Sequence, residues 1–302
     1  TLMRSLLAAM KPGCRLVLVG DADQLPSVGP GNVFSDIIRS EAVGTIVLSE
    51  IFRQANESGI VKNAHLINKG ILPDLSDRKT DFFFLRRSSP ERALETIVEL
   101  CAERLPKNMG IEPSQIQDLS PTRKNQTGTE NLNLRPQAAL NPASDGKKEK
   151  TFGDYVFRIG DKVMQVRNNY DIIWKSADGL VGGTGVFNGD IGQISDIDFT
   201  HETLTVDFED KLVTYMFEQM AELEPAYALT VHKSQGSEYR AVILAASSGA
   251  PQLLVRGVLY TAVTRARELL IIVGDQNVIE TMVSNDKRQR RYSGLRARLA
   301  MP

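Results

Sequence analysis

The most constraining stretch of this chain is a short apolar run at 226–229 that ends in a dense polar segment, Thr230-Val-His-Lys-Ser-Gln-Gly-Ser-Glu238, followed at once by a second apolar run at 241–244. That order predicts strand, loop or short helix, then strand. In open α/β sheets, ligands gather outside the carboxyl ends of strands, so residues 230–238 sit where a site is expected. His232, Lys233, Ser234 and Gln235 supply donors that suit phosphates, Gly236 permits close backbone approach, and Glu238 supplies an acceptor. This chemistry suits a nucleotide or nucleic-acid contact. A solvated polar loop has the same composition.

The same alternation runs through much of the chain. Leu2, Leu6 and Ala9 share a helical face at the start. Residues 15–20 predict a strand whose carboxyl end turns into Asp21-Ala-Asp-Gln24. A helix over 32–39 leads to a strand over 45–48, with Arg53 beyond it. A forked guanidinium matches phosphate oxygens, although most arginines are simply solvated. An amphipathic helix over 57–69, a strand over 81–85, a helix over 90–105 and a strand over 116–119 follow. The last ends in Ser120-Pro-Thr-Arg-Lys124, where hydroxyls and cations suit a phosphodiester backbone or, equally, solvent. Strands alternating with helices imply a mostly parallel sheet covered on its faces.

Residues 141–150 are polar and mark a boundary. Beyond it the pattern becomes short strands, 155–158, 162–166, 191–197, 203–208 and 211–215, with no helix between them, which predicts a small barrel. The glycines over 179–192 do not complete G-x-G-x-x-G and lack a strand-to-helix setting, so they read as a loop leading to a hairpin turn at Asn188-Gly-Asp190. Tyr170 and Trp174 could stack on a base or pack in the barrel. After Pro225 the α/β pattern returns: a helix from about 252 to 267, a strand over 269–273, and a charge-rich tail with Leu295 and Leu299 at helical spacing.

Composition narrows the class. The 302 residues suffice for one domain interrupted by another. A net charge of −1 does not advertise nucleic-acid binding, but single strands can be gripped by a narrow line of hydroxyls, amides and a few cations. Two cysteines and three scattered histidines provide no zinc spacing, and no protein-held transition metal is expected. No apolar run approaches the ~20 residues that span a bilayer, and no signal pattern opens the chain, so a cytoplasmic protein is expected.

Four segments carry a resemblance to the RecD/TraA-like superfamily 1B DNA helicases, the family of the exodeoxyribonuclease V alpha subunit. Gly-Asp-Ala-Asp-Gln-Leu-Pro-Ser-Val-Gly-Pro-Gly at 20–31 resembles motif III, Leu-Ser-Glu-Ile-Phe-Arg-Gln at 48–54 motif IV, residues 230–239 motif V, and Leu-Tyr-Thr-Ala-Val-Thr-Arg-Ala-Arg at 259–267 motif VI. The resemblance implies a RecA-like P-loop NTPase-type parallel sheet with an inserted SH3-like barrel. Residues 1–44 would be a remnant of motor domain 1A, 45–150 and 222–302 motor domain 2A, and 151–221 the inserted 2B barrel. It implies an ATP-dependent helicase moving 5′ to 3′ on single-stranded DNA, unwinding duplex ends in recombination and repair.

By the same resemblance, Gln24 reports the terminal phosphate, Arg53 and Arg265 act as catalytic cations, and Asp21, Gly236 and Glu238 belong to the nucleotide site. Thr122, Arg123, Thr230, His232, Lys233 and, on the barrel, Asn188 are the DNA contacts. ATP and Mg2+ are the implied cofactors. No G-x-x-x-x-G-K-[ST] phosphate loop occurs, and the acidic magnesium-holding motif is absent as well. In the family both precede motif III, and the chain opens without methionine inside a helix, so a carboxyl-terminal fragment, inactive alone, is expected. Two other readings stand beside it: a non-catalytic module binding single-stranded nucleic acid, and a subunit of an exodeoxyribonuclease V complex whose nuclease belongs to a partner.

Overall fold

The computed structural model describes residues 2–26, 29, 31–48, 58–77, 79–247, 249–287, 291 and 293–301. In chain order these form α1 (Leu2–Ala9), α2 (Val33–Ser40), α3 (Gly59–Asn68), β1 (Phe82–Arg86), α4 (Pro90–Glu99), α5 (Leu105–Met109), β2 (Ile116–Ser120) and α6 (Thr129–Leu140). The barrel region follows as β3 (Glu149–Phe152), β4 (Tyr155–Arg158), β5 (Lys162–Gln165), β6 (Asn169–Ser176), β7 (Gly182–Val186), β8 (Ile191–Asp198), β9 (Thr203–Phe208), β10 (Lys211–Met216) and β11 (Leu223–Pro225). The chain closes with β12 (Ala228–Thr230), β13 (Tyr239–Ala246), α7 (Arg256–Val263), β14 (Ala266–Gly274), α8 (Gln276–Ser284) and α9 (Leu295–Leu299).

β1, β14, β13, β2 and β12 lie side by side in that order, all parallel. The central strands are apolar on both faces because helices cover both. Val242, Leu244 and Ala246 of β13 pack with Leu270 and Ile272 of β14 against α3, α7 and α8. Their neighbours Ala241, Ile243 and Ala245 join Leu269, Ile271 and Val273 against Ala93 and Ile97 of α4 and Leu132 of α6. Successive residues facing opposite ways make one strand serve two cores.

The second sheet is antiparallel, in the order β11-β5-β8-β9-β10-β6-β7, with the hairpin β3-β4 beside it. Its core centres on Phe157, Val206, Val213 and Tyr215, all fully buried or nearly so. β7 corrects the expected glycine loop. A Cβ on Gly183 would lie 2.7 Å from the Trp174 ring, so the glycines form an edge strand that leaves room for the indole. Trp174 therefore packs on the barrel, with Lys211 Nζ 5.3 Å from its ring centre, while Tyr170 stays exposed.

Two expected strands do not form. Residues 15–20 and 45–48 have no strand conformation, and Val17, Val19, Ile46 and Leu48 are exposed. An apolar run becomes a strand only when a neighbour takes up its backbone groups, and none of the described residues does so here. The expected helix over 90–105 is interrupted by a π-helical turn at Leu100–Arg104 before α5, and α7 is shorter than the expected helix over 252–267. α6 and β6 are additions that the periodicity did not announce.

Candidate functional site

Two loops meet at the carboxyl ends of β2 and β12. Because these strands pair in parallel with Thr230 opposite Ser120, the segment after Ser120 and the segment after Thr230 emerge side by side. Val231 N–H donates to Ser120 O at 3.1 Å and ties them together. Thr122 is buried, its hydroxyl donating to Lys124 O at 3.0 Å. Arg123, Thr230 and Lys233 line one small pocket with Tyr155, Glu130 and Glu224. Lys233 Nζ is held there by Glu224 at 2.7 Å, and Arg123 is exposed. His232 is exposed in the turn that follows. Asn188 is not part of this pocket. It lies in the turn between β7 and β8, its N–H donating to Asn168 Oδ1 at 2.9 Å.

Beyond Thr230 the chain coils tightly. Ser234 N–H donates to Thr230 O at 3.1 Å, and the Ser234 hydroxyl to Val231 O at 2.9 Å. Gly236 then takes φ +87°, a left-handed conformation that disfavours a side chain, and the space a Cβ would fill is open. Glu238 is exposed and lines a cleft of about 760 Å3 between the parallel sheet and the barrel.

Two distant segments converge with the end of α7 on Arg265. The residue is only 5% exposed. Its guanidinium donates from Nη1 to Ser237 O at 2.8 Å, from Nε to Thr261 O at 3.3 Å, and from Nη2 to Gln24 Oε1 at 3.1 Å and Thr264 Oγ1 at 3.4 Å. Gln24 in turn donates from Nε2 to Asp21 Oδ2 at 3.2 Å, which also accepts from the Tyr260 hydroxyl at 2.9 Å. Burial and the nearby Asp21 carboxylate push the Tyr260 phenol well above its ordinary range, so it remains a donor at neutral pH.

The loop carrying Gln24 is pinned on either side. Leu25 N–H donates to Thr261 Oγ1 at 2.9 Å, and Asn68 Nδ2 donates to Asp23 Oδ2 at 2.8 Å. Gln235 donates its side-chain amide to Leu25 O. Asp21, Gln24, Gly236 and Arg265 are thus brought to one place. Tyr260, Thr261 and Asn68, which assemble it, are not among the site residues that the sequence suggests. The spacing of Tyr260 and Thr261 just ahead of Arg265 on a helix was the available signal. Arg53 lies outside the described residues.

The donors suit phosphate oxygens: a guanidinium, two side-chain amides, and an open glycine backbone. Among the described residues no three His, Cys, Asp or Glu side chains converge as a metal site would require.

A parallel, doubly covered α/β sheet with an inserted antiparallel barrel gives the fold class, a RecA-like sheet with an SH3-like insertion, and the buried Arg265 sits at the amino ends of β13 and β14, away from the carboxyl ends where ligands are expected. Residues 132–208 match the SH3 domain of ATP-dependent RecD-like DNA helicases, 225–273 the UvrD-like helicase C-terminal domain, and 1–81 an AAA domain. The chain thus carries a RecD-like SH3 domain and a UvrD-like C-terminal helicase domain.

It is 31% identical over 289 residues to the ATP-dependent RecD2 DNA helicase of Deinococcus radiodurans, covering 96% of this chain and 36% of that protein. It is 29% identical over 313 residues to the RecBCD enzyme subunit RecD of Mycobacterium tuberculosis, covering 99% of this chain and 51% of that one. The chain therefore spans about a third to about half of the length of these relatives. A Bacteroides Pif1 helicase solved with ADP-AlF3 and ssDNA superposes with a TM-score of 0.47 at 19% identity, over 87% of this chain and 62% of that one. That likeness is too distant to assign residues. No described helix is long and apolar enough to cross a membrane.

Proposed function

We propose that this chain is the carboxyl-terminal motor part of a RecD-type, ATP-dependent 5′ to 3′ DNA helicase acting in the cytoplasm, coupling ATP hydrolysis to movement on single-stranded DNA and to unwinding of duplex ends. Residues 1–44 belong to motor domain 1A, 45–150 and 222–302 to domain 2A, and 151–221 to the 2B barrel, with β3 and β11 at the two boundaries completing the barrel's sheets. The observation that carries this reading is the meeting of Gln24, Ser237 and Arg265, contributed by three separate motifs.

ATP with Mg2+ supplies the transferable phosphoryl group when bound. Arg265, with Arg53, places positive charge where negative charge develops during transfer. In the conformation described here four of the five Arg265 N–H donors have protein acceptors, so the guanidinium is parked. Exchanging the Gln24 amide for a phosphate oxygen would free Nη2 and, through Asp21 and Tyr260, shift the loop. Gly236 adjoins the same place, and Glu238, two residues on, lines the neighbouring cleft between the sheet and the barrel. Thr122, Arg123, Thr230, His232 and Lys233 grip the strand at the ends of β2 and β12, with Asn188 as a contact from the barrel.

The test is ATP hydrolysis with and without single-stranded DNA, on this chain and on the chain extended upstream. Turnover only by the extended protein, stimulated by DNA, supports the reading. No turnover by either, with single strands still bound, leaves a binding module. A second reading, a subunit of an exodeoxyribonuclease V complex, draws on the match to RecD of a RecBCD enzyme. Co-purification with partner subunits from the source cells distinguishes it.

A further inference from the structure

The barrel is joined to the parallel sheet by two crossings of the chain, outward after α6 and back through β11 and β12. Between them sits Asp161, in the turn ahead of β5 and only 1% exposed. Its Oδ2 accepts from Gln137 Nε2 of α6 at 2.6 Å and from Arg158 N–H of β4 at 2.7 Å. Its Oδ1 accepts from Asn141 Nδ2, at the end of α6, at 2.6 Å and from the Tyr227 hydroxyl, between β11 and β12, at 2.9 Å. One carboxylate thus gathers donors from the motor helix, the outgoing hairpin and the return segment.

Hydrogen bonds to a carboxylate are shorter and about twice as strong as neutral ones. Losing the acceptor would leave its donors unsatisfied in a buried site. The surroundings reinforce the joint. Lys162 Nζ donates to Ile116 O of β2 at 3.0 Å, Ala226 N–H to Lys162 O at 2.8 Å, and Gln117 Nε2 to Ala226 O and Tyr227 O at 3.2 and 3.1 Å.

We propose that Asp161 is a positioning residue, a latch that makes the barrel and the parallel sheet move as one body, so that motion of the motor is transmitted to DNA through the barrel. The second half of this statement rests on the helicase reading; the first does not. A buried aspartate with a merely structural role lowers stability evenly. A latch also loosens the barrel and uncouples unwinding from hydrolysis.

The experiment places a dye pair at Glu95→Cys on α4 and Lys175→Cys on β6, in a Cys14→Ser background, and reads the energy-transfer distribution in this chain. Asp161→Asn retains size but turns one acceptor into a donor facing donors. A distribution at least twice as broad as that of the parent is expected, and an unchanged one overturns the latch. If Asp161→Asn fails to fold, Tyr227→Phe removes a single donor and is expected to broaden the distribution partially. No change there overturns the proposal equally.

In the upstream-extended protein, Asp161→Asn is expected to slow duplex unwinding at least tenfold, with DNA-stimulated ATP turnover within twofold of the parent. Equal loss of both, or no loss of unwinding, overturns the coupling role. If the dye distribution broadens but the parent extended protein neither hydrolyses ATP nor unwinds DNA, the helicase reading fails while the latch stands.

Discussion

Arg265 donates from Nη2 to Gln24 Oε1 at 3.1 Å, joining two residues 241 positions apart in the chain. The buried guanidinium is held in a protein cage, and Gln24 is the one side chain of that cage contributed by the amino-terminal loop. Arg265→Ala in the upstream-extended protein is expected to lower ATP turnover by about a thousandfold, the scale of removing a cation from a phosphoryl-transfer site. Single-strand affinity should stay within about threefold of the parent value. Steady-state hydrolysis and fluorescence-anisotropy titration on one preparation check this. Equal loss of both activities would assign Arg265 to folding or to DNA.

Gln24→Glu tests the parked state. A carboxylate opposite Arg265 forms a charge-assisted pair in place of a neutral amide contact, which is stronger when buried. The guanidinium should then leave its cage less readily. Turnover at saturating ATP is expected to fall by roughly tenfold, about 1.4 kcal/mol of added barrier, with Gln24→Ala less impaired than Gln24→Glu. The opposite ranking in steady-state kinetics would show that the Gln24 amide, and not the release of Arg265, limits the reaction.

Which of these relationships could be read from residue order alone follows from their range. β4 and β9 match the expected bounds because alternation over adjacent residues reports them directly. Glycines carry no periodicity, so residue order alone does not announce β7; its reason is the Trp174 ring on the neighbouring strand. The runs at 15–20 and 45–48 have strand composition, yet pairing is a property of neighbours. Asp21, Gln24, Gly236 and Arg265 were chosen by resemblance, but their shared cage depends on Thr261, Tyr260 and Asn68 reaching the loop from α7 and α3. Asp161 gave no signal, since a turn aspartate before a strand is ordinarily solvated.

Arg123 is the exposed cation of the strand-end pocket, whereas Lys233 is already neutralised by Glu224. Releasing counterions from single strands contributes a slope of about 0.7 per neutralised phosphate to the dependence of log affinity on log salt. Arg123→Ala is therefore expected to reduce that slope by about 0.7, and Lys233→Ala by less. Titrations at several salt concentrations decide it. A larger change for Lys233→Ala would mean that its pair with Glu224 opens on binding.

Gly128 closes the loop that carries Thr122 and Arg123. A Cβ there would lie 2.4 Å from Arg123 O and 2.5 Å from Lys124 O, both backbone atoms that cannot simply rotate away. Thr129 N–H and Glu130 N–H meanwhile donate to Thr122 O and Arg123 O at 3.1 Å each, so the loop and the start of α6 must shift together. Gly128→Ala is expected to cost roughly 1–3 kcal/mol, the usual range for overpacking, and to weaken single-strand binding several-fold. Chemical denaturation and DNA titration check both, and unchanged values for each would show that the loop adjusts freely.

Asp118 of β2 is buried beneath the barrel joint, accepting from the Cys101 thiol at 3.3 Å. Burial pushes its carboxyl up to about 7, against the opposing influence of that thiol and of Lys162. The folded chain therefore keeps a proton that the unfolded chain releases near pH 4, and this group's contribution to stability is lost as pH rises from about 4 through 7. Burial lowers the Lys162 ammonium to about 8, so its own effect falls above this window. Asp118→Asn is expected to leave the melting temperature nearly unchanged near pH 4 and to raise it by several degrees at pH 7.5, on the order of 4 kcal/mol. Calorimetry of parent and variant across pH 4 to 8 tests the sign. Parallel curves would show that Asp118 ionises in the folded chain as freely as in the unfolded one, and a gap that widens toward acid would reverse the assignment.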